Sequence, residues 1–301
     1  MQSIQKGKEG LVGDKTFDFQ GVFLRNRIIT SIIGIPIIFI SIIWNIIGLL
    51  ILCSIISLIA SYEIYKMLPS KKTITTRDKI IFLSIILLTC LPLIFSIFFI
   101  NEISTSFGIL FSIYVAIVSL SILIFVTFFT YKHESFKSIG FWKFWIYITF
   151  IGFGIAHFPL LYSHESKGPS LTIIIIALTF TFDIFALFVG QRFGKTKIFP
   201  RISPNKSLEG YIGGFLSLFP MLFLLQMILD IQLSFLTFFI AIITISFSSL
   251  FGDLYESYIK RQAKIKDSGS IIPGHGGILD RTDSILSNII VFYWIVIWLK
   301  I

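Results

Sequence analysis

Nine long apolar blocks constrain this chain more than any other feature. They run roughly over 28–44, 47–65, 80–100, 107–130, 144–162, 171–190, 211–229, 232–252 and 284–299. A helix needs about 20 apolar residues to cross hydrocarbon. Lipid offers backbone N–H and C=O groups no water partner, so such runs must bond internally as helices. A lipid-facing barrel would alternate apolar and polar residues, and these blocks do not. Only 14% of residues are charged, against about 25% in soluble domains, and mean hydropathy is +0.91. That excludes disorder, a collagen-like fibre, a disulfide scaffold and an ordinary soluble globule. The expectation is an all-α polytopic integral membrane protein with about nine transmembrane helices. A polar segment, 1–27, precedes one membrane domain, 28–301, with too little chain left for a sizeable soluble domain.

Charge orients this layout. With the N-terminus in the cytoplasm and the spans alternating, the inner segments are 1–27, 66–79, 131–143, 191–210 and 253–283. Of the 25 Lys and Arg residues, all but Lys167 and Lys300 fall in them, as the positive-inside rule requires. The net charge of +9 is therefore read as loops facing anionic lipid or a phosphorylated substrate, not nucleic acid. Cys53 and Cys90 lie inside apolar runs and read as inert small hydrophobes. Residues 1–27 lack the short apolar core of a secretory signal.

Acids inside such a chain need a reason, because a carboxylate at a span centre costs roughly 2.5–3.5 kcal/mol. Asp183 sits well inside the sixth run. Asp253 falls at the inner end of the eighth, and Asp280 and Asp283 open the ninth. One reading is a carboxylate cluster that holds Mg²⁺, which favours a few carboxylates with phosphate oxygens and water. The other is that these are helix-end acids favoured by the dipole. That alternative is strongest for Asp280 and Asp283. It is weakest for Asp253, expected at a helix C-terminus. Glu63, near the end of the second run, is expected to be structural and to pair with Lys66.

Two inner loops combine glycine, proline and both signs of charge. In 253–283, Gly274, Gly276 and Gly277 precede a helix, where free N–H groups form an anion site. Lys260, Arg261, Lys264 and Lys266 lie nearby. The segment reads equally as a polyphosphate cradle or as a flexible connection. His275 is either a base, a phosphate contact or structural. In 191–210, Arg192, Lys195, Lys197, Arg201 and Lys206 face the single acid Glu209, and Ser203, Pro204 and Asn205 are expected to form a turn. Asp183 lies two to three turns from Arg192 on the same helix and aims a polar path at that loop.

From Ser257 to Asp283 the chain closely resembles the signature of the phosphatidate cytidylyltransferase (CDP-diacylglycerol synthase) family. Ser257, Lys260, Arg261, Lys266, Asp267, His275, Gly276, Gly277, Asp280, Arg281 and Asp283 all fall in place. The stretches GQRFGKTKIFPRISPNKSLEG and SLFGDLYES look like the family's other segments. The resemblance implies a Mg²⁺-dependent enzyme of phospholipid biosynthesis that joins CTP and phosphatidic acid into CDP-diacylglycerol and pyrophosphate. It implies metal at Asp253 and Asp280, with Asp283 beside them, and catalytic parts for Lys266, His275 and Arg281. It places substrate contacts at Asp183, Lys195, Ser203, Asn205, Lys206, Glu209, Lys260, Arg261, Gly276 and Gly277. A monovalent cation such as K⁺, a homodimer and a cytoplasm-facing site in the cell membrane complete the expectation. The competing readings are a CTP-dependent lipid-alcohol kinase and, from another class, a transporter coupled through Asp183.

Overall fold

The computed structural model describes residues 30, 32–68, 76–99, 140–165, 167–271 and 276–301. The expected fourth run, 107–130, the segment 1–27 and His275 lie outside the described residues. Eight helices are described: α1 (Ile32–Trp44), α2 (Ile46–Lys66), α3 (Thr76–Phe99), α4 (Phe141–Tyr162), α5 (Gly168–Phe193), α6 (Leu208–Leu229), α7 (Phe235–Gln262) and α8 (Leu279–Leu299). Among the described residues, α2 to α8 supply seven helices long and apolar enough to cross a membrane, and α1 is shorter. The chain is an all-α polytopic membrane protein with one small hairpin added.

The tight junction at Trp44 and Asn45 is a reversal between two helices. Asn45 has an extended backbone and its side chain accepts from Gly48 N at 3.0 Å, capping α2. A Cβ on Gly48 would lie 2.9 Å from Ser41 O, so α1 folds back against α2.

Helices α4 and α8 form the centre. Their apolar windows are 72% and 61% buried, against 28–44% for the other five. Ile184, Leu187 and Phe188 of α5 and Phe223 and Met227 of α6 are exposed. In water such faces would mark an interaction surface; in this chain they are the lipid-facing shell. The most extensive helix pairs are α5–α6, α3–α4 and α7–α8. Small residues allow the first of these. A Cβ on Gly210 would lie 2.6 Å from Ala186 O, and one on Gly214 would lie 2.9 Å from Phe182 O. This is the close approach of a G-x-x-x-G face in lipid. Gly214→Val is expected to cost about 1–3 kcal/mol by overpacking, read as a lowered unfolding temperature in detergent micelles.

Hydrogen bonds show which helix ends lie together. At one end, Glu63 of α2 meets Ile278 and Leu279 at the start of α8. There too Lys143 of α4 meets Tyr258 of α7, and Lys206, just before α6, meets Asp253 of α7. At the other end, Tyr162 donates to Ile42 O at 2.9 Å and His164 to Ile301 O at 3.3 Å. The end of α2, the start of α4, the segment just before α6, the end of α7 and the start of α8 therefore lie together at one end of the bundle.

Candidate active site

A cavity of about 740 Å³ opens at that end, between α5, α6, α7 and α8. Four carboxylates line it: Asp183, Asp253, Asp280 and Asp283. Four cations share the lining: Lys197, Lys206, Lys260 and Arg281. Ser203, Asn205, Ser207, Gln191, Tyr211, Ser249 and Ser284 add polar groups, and Phe182, Ala186, Leu187 and Leu250 an apolar sector. The structure thus brings together acids from three helices that the chain separates by up to a hundred residues.

The loop after α5 is a hairpin, with β1 (Lys197–Phe199) antiparallel to β2 (Ser203–Ser207). Ser203, Pro204 and Asn205 were expected to form its turn, but they lie in β2. The turn is Pro200–Ile202, where proline presets the backbone. Pro204 is tolerated because a strand of a two-stranded ribbon has one open edge. Glu209 closes the hairpin's base. Its carboxylate accepts from Lys195 N at 3.1 Å and from Thr196 N at 3.1 and 3.2 Å. Ser207 then caps α6 by accepting from Gly210 N. Held this way, β2 delivers Asn205 and Lys206 to the cavity, and Lys206 pairs with Asp253.

Asp253 does not end its helix. Helix α7 continues to Gln262, with Lys260 and Arg261 in its last turn, where cations complement the carbonyl end. Asp253 is therefore an interior residue about two and a half turns from the C-terminus, and Ser257, one turn on, donates to its Oδ1 at 3.3 Å. The dipole argument made for it at a helix end does not apply.

The start of α8 also differs from expectation. Of the N–H groups read as a phosphate cradle, that of Gly277 is taken by a protein carboxylate, as are the first N–H groups of α8. Asp280 Oδ2 accepts from Gly277 N at 2.8 Å and Ser268 N at 2.9 Å, and its Oδ1 accepts from Lys260 Nζ at 2.6 Å. Glu63, 1% exposed, accepts from Ile278 N at 2.8 Å, Leu279 N at 3.1 Å and Ser268 Oγ at 3.1 Å. Glycine is required here for internal reasons. Gly276 has φ +90, and a Cβ on Gly277 would lie 2.0 Å from Ser268 Oγ and 2.5 Å from Glu63 Oε2. The expected Glu63–Lys66 pair is absent; Lys66 instead lies over the Tyr62 ring, because Glu63 points inward to these donors.

Of the residues singled out from sequence, Asp183, Ser203, Asn205, Lys206, Asp253, Lys260, Asp280, Arg281 and Asp283 line the cavity. Lys195, Glu209, Arg261, Lys266, Gly276 and Gly277 do not. Arg261 donates to Ile265 O at 3.3 Å, and Lys266 is exposed. Sequence reasoning read Glu63 as structural but gave it a local partner, Lys66, in place of the donors at the start of α8. It passed over Tyr211, Ser249 and Ser284, which carry no signal beyond their helix register.

The sequence model of the cytidylyltransferase family matches residues 25–299. The chain belongs to that family. The phosphatidate cytidylyltransferase of Thermotoga maritima is 39% identical over 158 residues, 51% of this chain and 57% of that protein. A protein of the same name from Staphylococcus epidermidis is 37% identical over 139 residues, 46% of this chain and 52% of its own length. The match to those two therefore spans little more than half of their length. The Bacillus subtilis phosphatidate cytidylyltransferase is 29% identical over 266 residues, 88% of this chain and 94% of that protein.

Among the described residues, no three His, Cys, Asp or Glu side chains form a ready metal cage. Mg²⁺ does not need one, since it uses one or two carboxylates and completes its shell with phosphates and water. Asp253 and Asp283 fit that description best. Asp283 takes one backbone N–H, from Ser284 at 2.8 Å, and meets the Glu256 carboxyl, and Asp253 holds the Ser257 hydroxyl and the Lys206 ammonium. Asp280 fits less well, because Lys260 and two backbone N–H groups already fill its oxygens.

Proposed function

We propose that this chain is a phosphatidate cytidylyltransferase, converting CTP and phosphatidic acid to CDP-diacylglycerol and pyrophosphate. The observation that carries the reading is the mixed lining of one cavity, four carboxylates against four cations, in a chain that belongs to this family. Two phosphorylated molecules need both signs: cations to hold phosphate oxygens, and carboxylates to retain a divalent ion between them.

In the reaction, a lipid phosphate oxygen attacks the α-phosphorus of CTP. The new O–P bond forms as the bond to the β-phosphate oxygen breaks, and pyrophosphate leaves with that electron pair. The lipid supplies the nucleophile, so no Ser or Cys nucleophile is needed. Positioning and charge neutralisation carry such transfers. Lys206 and Asn205 on β2, Lys197 on β1 and Arg281 on α8 are placed to hold phosphates across the cavity mouth. Asp253 and Asp283 would hold Mg²⁺, with Asp280 beside them. When bound, that ion would polarise phosphoryl oxygens and neutralise charge on the leaving group. Leu187 lines the cavity and is also exposed on the lipid-facing side of α5, so acyl chains can stay in the bilayer while the headgroup reaches the acids. The cytoplasm-facing orientation in the cell membrane is supported by the loop charges. The homodimer and the monovalent cation rest on the resemblance alone.

The test is incubation of the purified chain with CTP, Mg²⁺ and phosphatidic acid, followed by lipid and pyrophosphate analysis. The expected result is CDP-diacylglycerol and pyrophosphate in equal amounts. A phosphorylated product from a lipid alcohol would make the chain a kinase, and solute flux in liposomes without CTP would make it a transporter.

A further inference from the structure

We infer that Asn288 is a positioning residue: one buried amide that sets the spacing of Asp183, Asp253 and Asp283. The inference rests on the reading of the cavity as the reaction site. Asn288 lies on α8 and is 0% exposed. Its Nδ2 donates to Thr179 Oγ1 on α5 at 2.8 Å and to Ser249 Oγ on α7 at 2.7 Å. Thr179 is one helical turn before Asp183, and Ser249 is one turn before Asp253. On α8, Ser284 stands one turn before Asn288, next to Asp283, and donates to Ser249 O at 3.4 Å. A single NH₂ group thus ties together the three acid-bearing helices one turn below their acids.

The amide's direction is set by its neighbours. Thr179 spends its own proton on Ile175 O at 2.8 Å, so it can only accept from Asn288. Asn288 Oδ1 has no hydrogen-bond partner among the described residues and is buried. An orphaned acceptor is a cost, not a gain, in stability. Lipid tails are as apolar as the helix faces, so apolar packing alone gives α5, α7 and α8 little preference for one register, and interhelical hydrogen bonds supply it. The amide therefore serves geometry at the expense of stability. That separates it from an ordinary core residue, whose replacement by a smaller or mismatched group lowers both together.

The experiment uses the full chain in detergent micelles, with kcat, KM for each substrate and unfolding temperature measured for every variant. Asn288→Leu is expected to lower kcat by about 10- to 100-fold, the loss that follows from roughly 1 Å of misplacement, with KM for CTP little changed and the unfolding temperature not lowered. Thr179→Val and Ser249→Ala are expected to lower kcat in the same direction, and neither adds to Asn288→Leu, since all three act through one amide. Thr179→Ser keeps the acceptor and is expected to restore turnover. Unchanged kcat in Asn288→Leu, additive losses, or a kcat loss that tracks a fall in unfolding temperature would overturn the inference. A second readout does not depend on the reaction. Pulsed-EPR distances between nitroxides at Phe188 and Phe247, both on lipid-facing surface, are expected to shift or broaden in Asn288→Leu. An unchanged distribution also overturns the inference. If the parent chain makes no CDP-lipid, the proposed reaction falls while this distance measurement still decides the role of Asn288.

Discussion

Asp253→Asn is expected to cut turnover by on the order of 10²–10³-fold, the scale seen when one preorganised electrostatic contact is removed from a charged transition state, while the helix bundle stays folded. The asymmetry follows from where Asp253 sits. Its side chain is 35% exposed at the cavity and its partner Lys206 is 22% exposed. Such a pair contributes about 0–1 kcal/mol to folding. The carboxylate is nevertheless one of the two with oxygen positions left for a divalent ion. Without it, Lys206 loses the counter-charge that holds it at the cavity wall. The variant should therefore unfold at nearly the parent temperature yet need far more Mg²⁺, or fail to respond to it. Asp280→Asn is the informative contrast. Asp280 is 8% exposed and its partner Lys260 is 13% exposed, and an amide there would set an NH₂ against Gly277 N, Ser268 N or Lys260. Breaking a buried pair costs about 3–5 kcal/mol, so Asp280→Asn is expected to lose stability and turnover together. Near-parent turnover in Asp253→Asn at ordinary Mg²⁺ would remove Asp253 from the proposed metal pair.

The second large effect lies far from the signature segment. Glu63→Ala is expected to destabilise the chain by about 3–5 kcal/mol, because the backbone N–H groups of Ile278 and Leu279 would be left buried without an acceptor, each at about 1–3 kcal/mol. It also removes the negative charge that complements the N-terminus of α8. Asp280 and Asp283 ride on that first turn, so turnover should fall with the fold. Glu63→Gln keeps one acceptor oxygen and is expected to fall between parent and alanine. Gly277→Ala should match Glu63→Ala, because its Cβ would press within 2.5 Å of the same carboxylate. Thermal unfolding in micelles, read beside turnover, checks all three. If Glu63→Ala left the unfolding temperature where it was, the hydrogen bonds described for Glu63 would not be holding α8 in place.

Residue pattern alone carried most of the architecture. An apolar run some twenty residues long has one low-energy form in lipid, so α2 to α8 were readable as helices from local composition. The cost of a carboxylate in hydrocarbon likewise marked Asp183, Asp253, Asp280 and Asp283, and all four line one cavity. Errors arose where an outcome depended on a neighbour remote in the chain. A turn at Pro200 and a turn at Pro204 are both compatible with the loop's composition, and the closure of the hairpin by Glu209 selects the first, which leaves Pro204 in β2. Asp253 seemed to end a helix because charge follows it, yet charged residues continue a helix readily once they reach its polar end.

The glycines before α8 show the boundary most clearly. Their spacing announces a place where an anion comes close to the backbone, and that inference is local and sound. Which anion comes close is a matter of three-dimensional packing. Ile278 and Leu279 are met by Glu63, 215 and 216 positions away, and Gly277 by Asp280 on the next turn. Periodicity and transfer energy act over a few residues and are written in the string of letters. The pairing of one donor with one acceptor across two hundred positions exists only once the helices have packed.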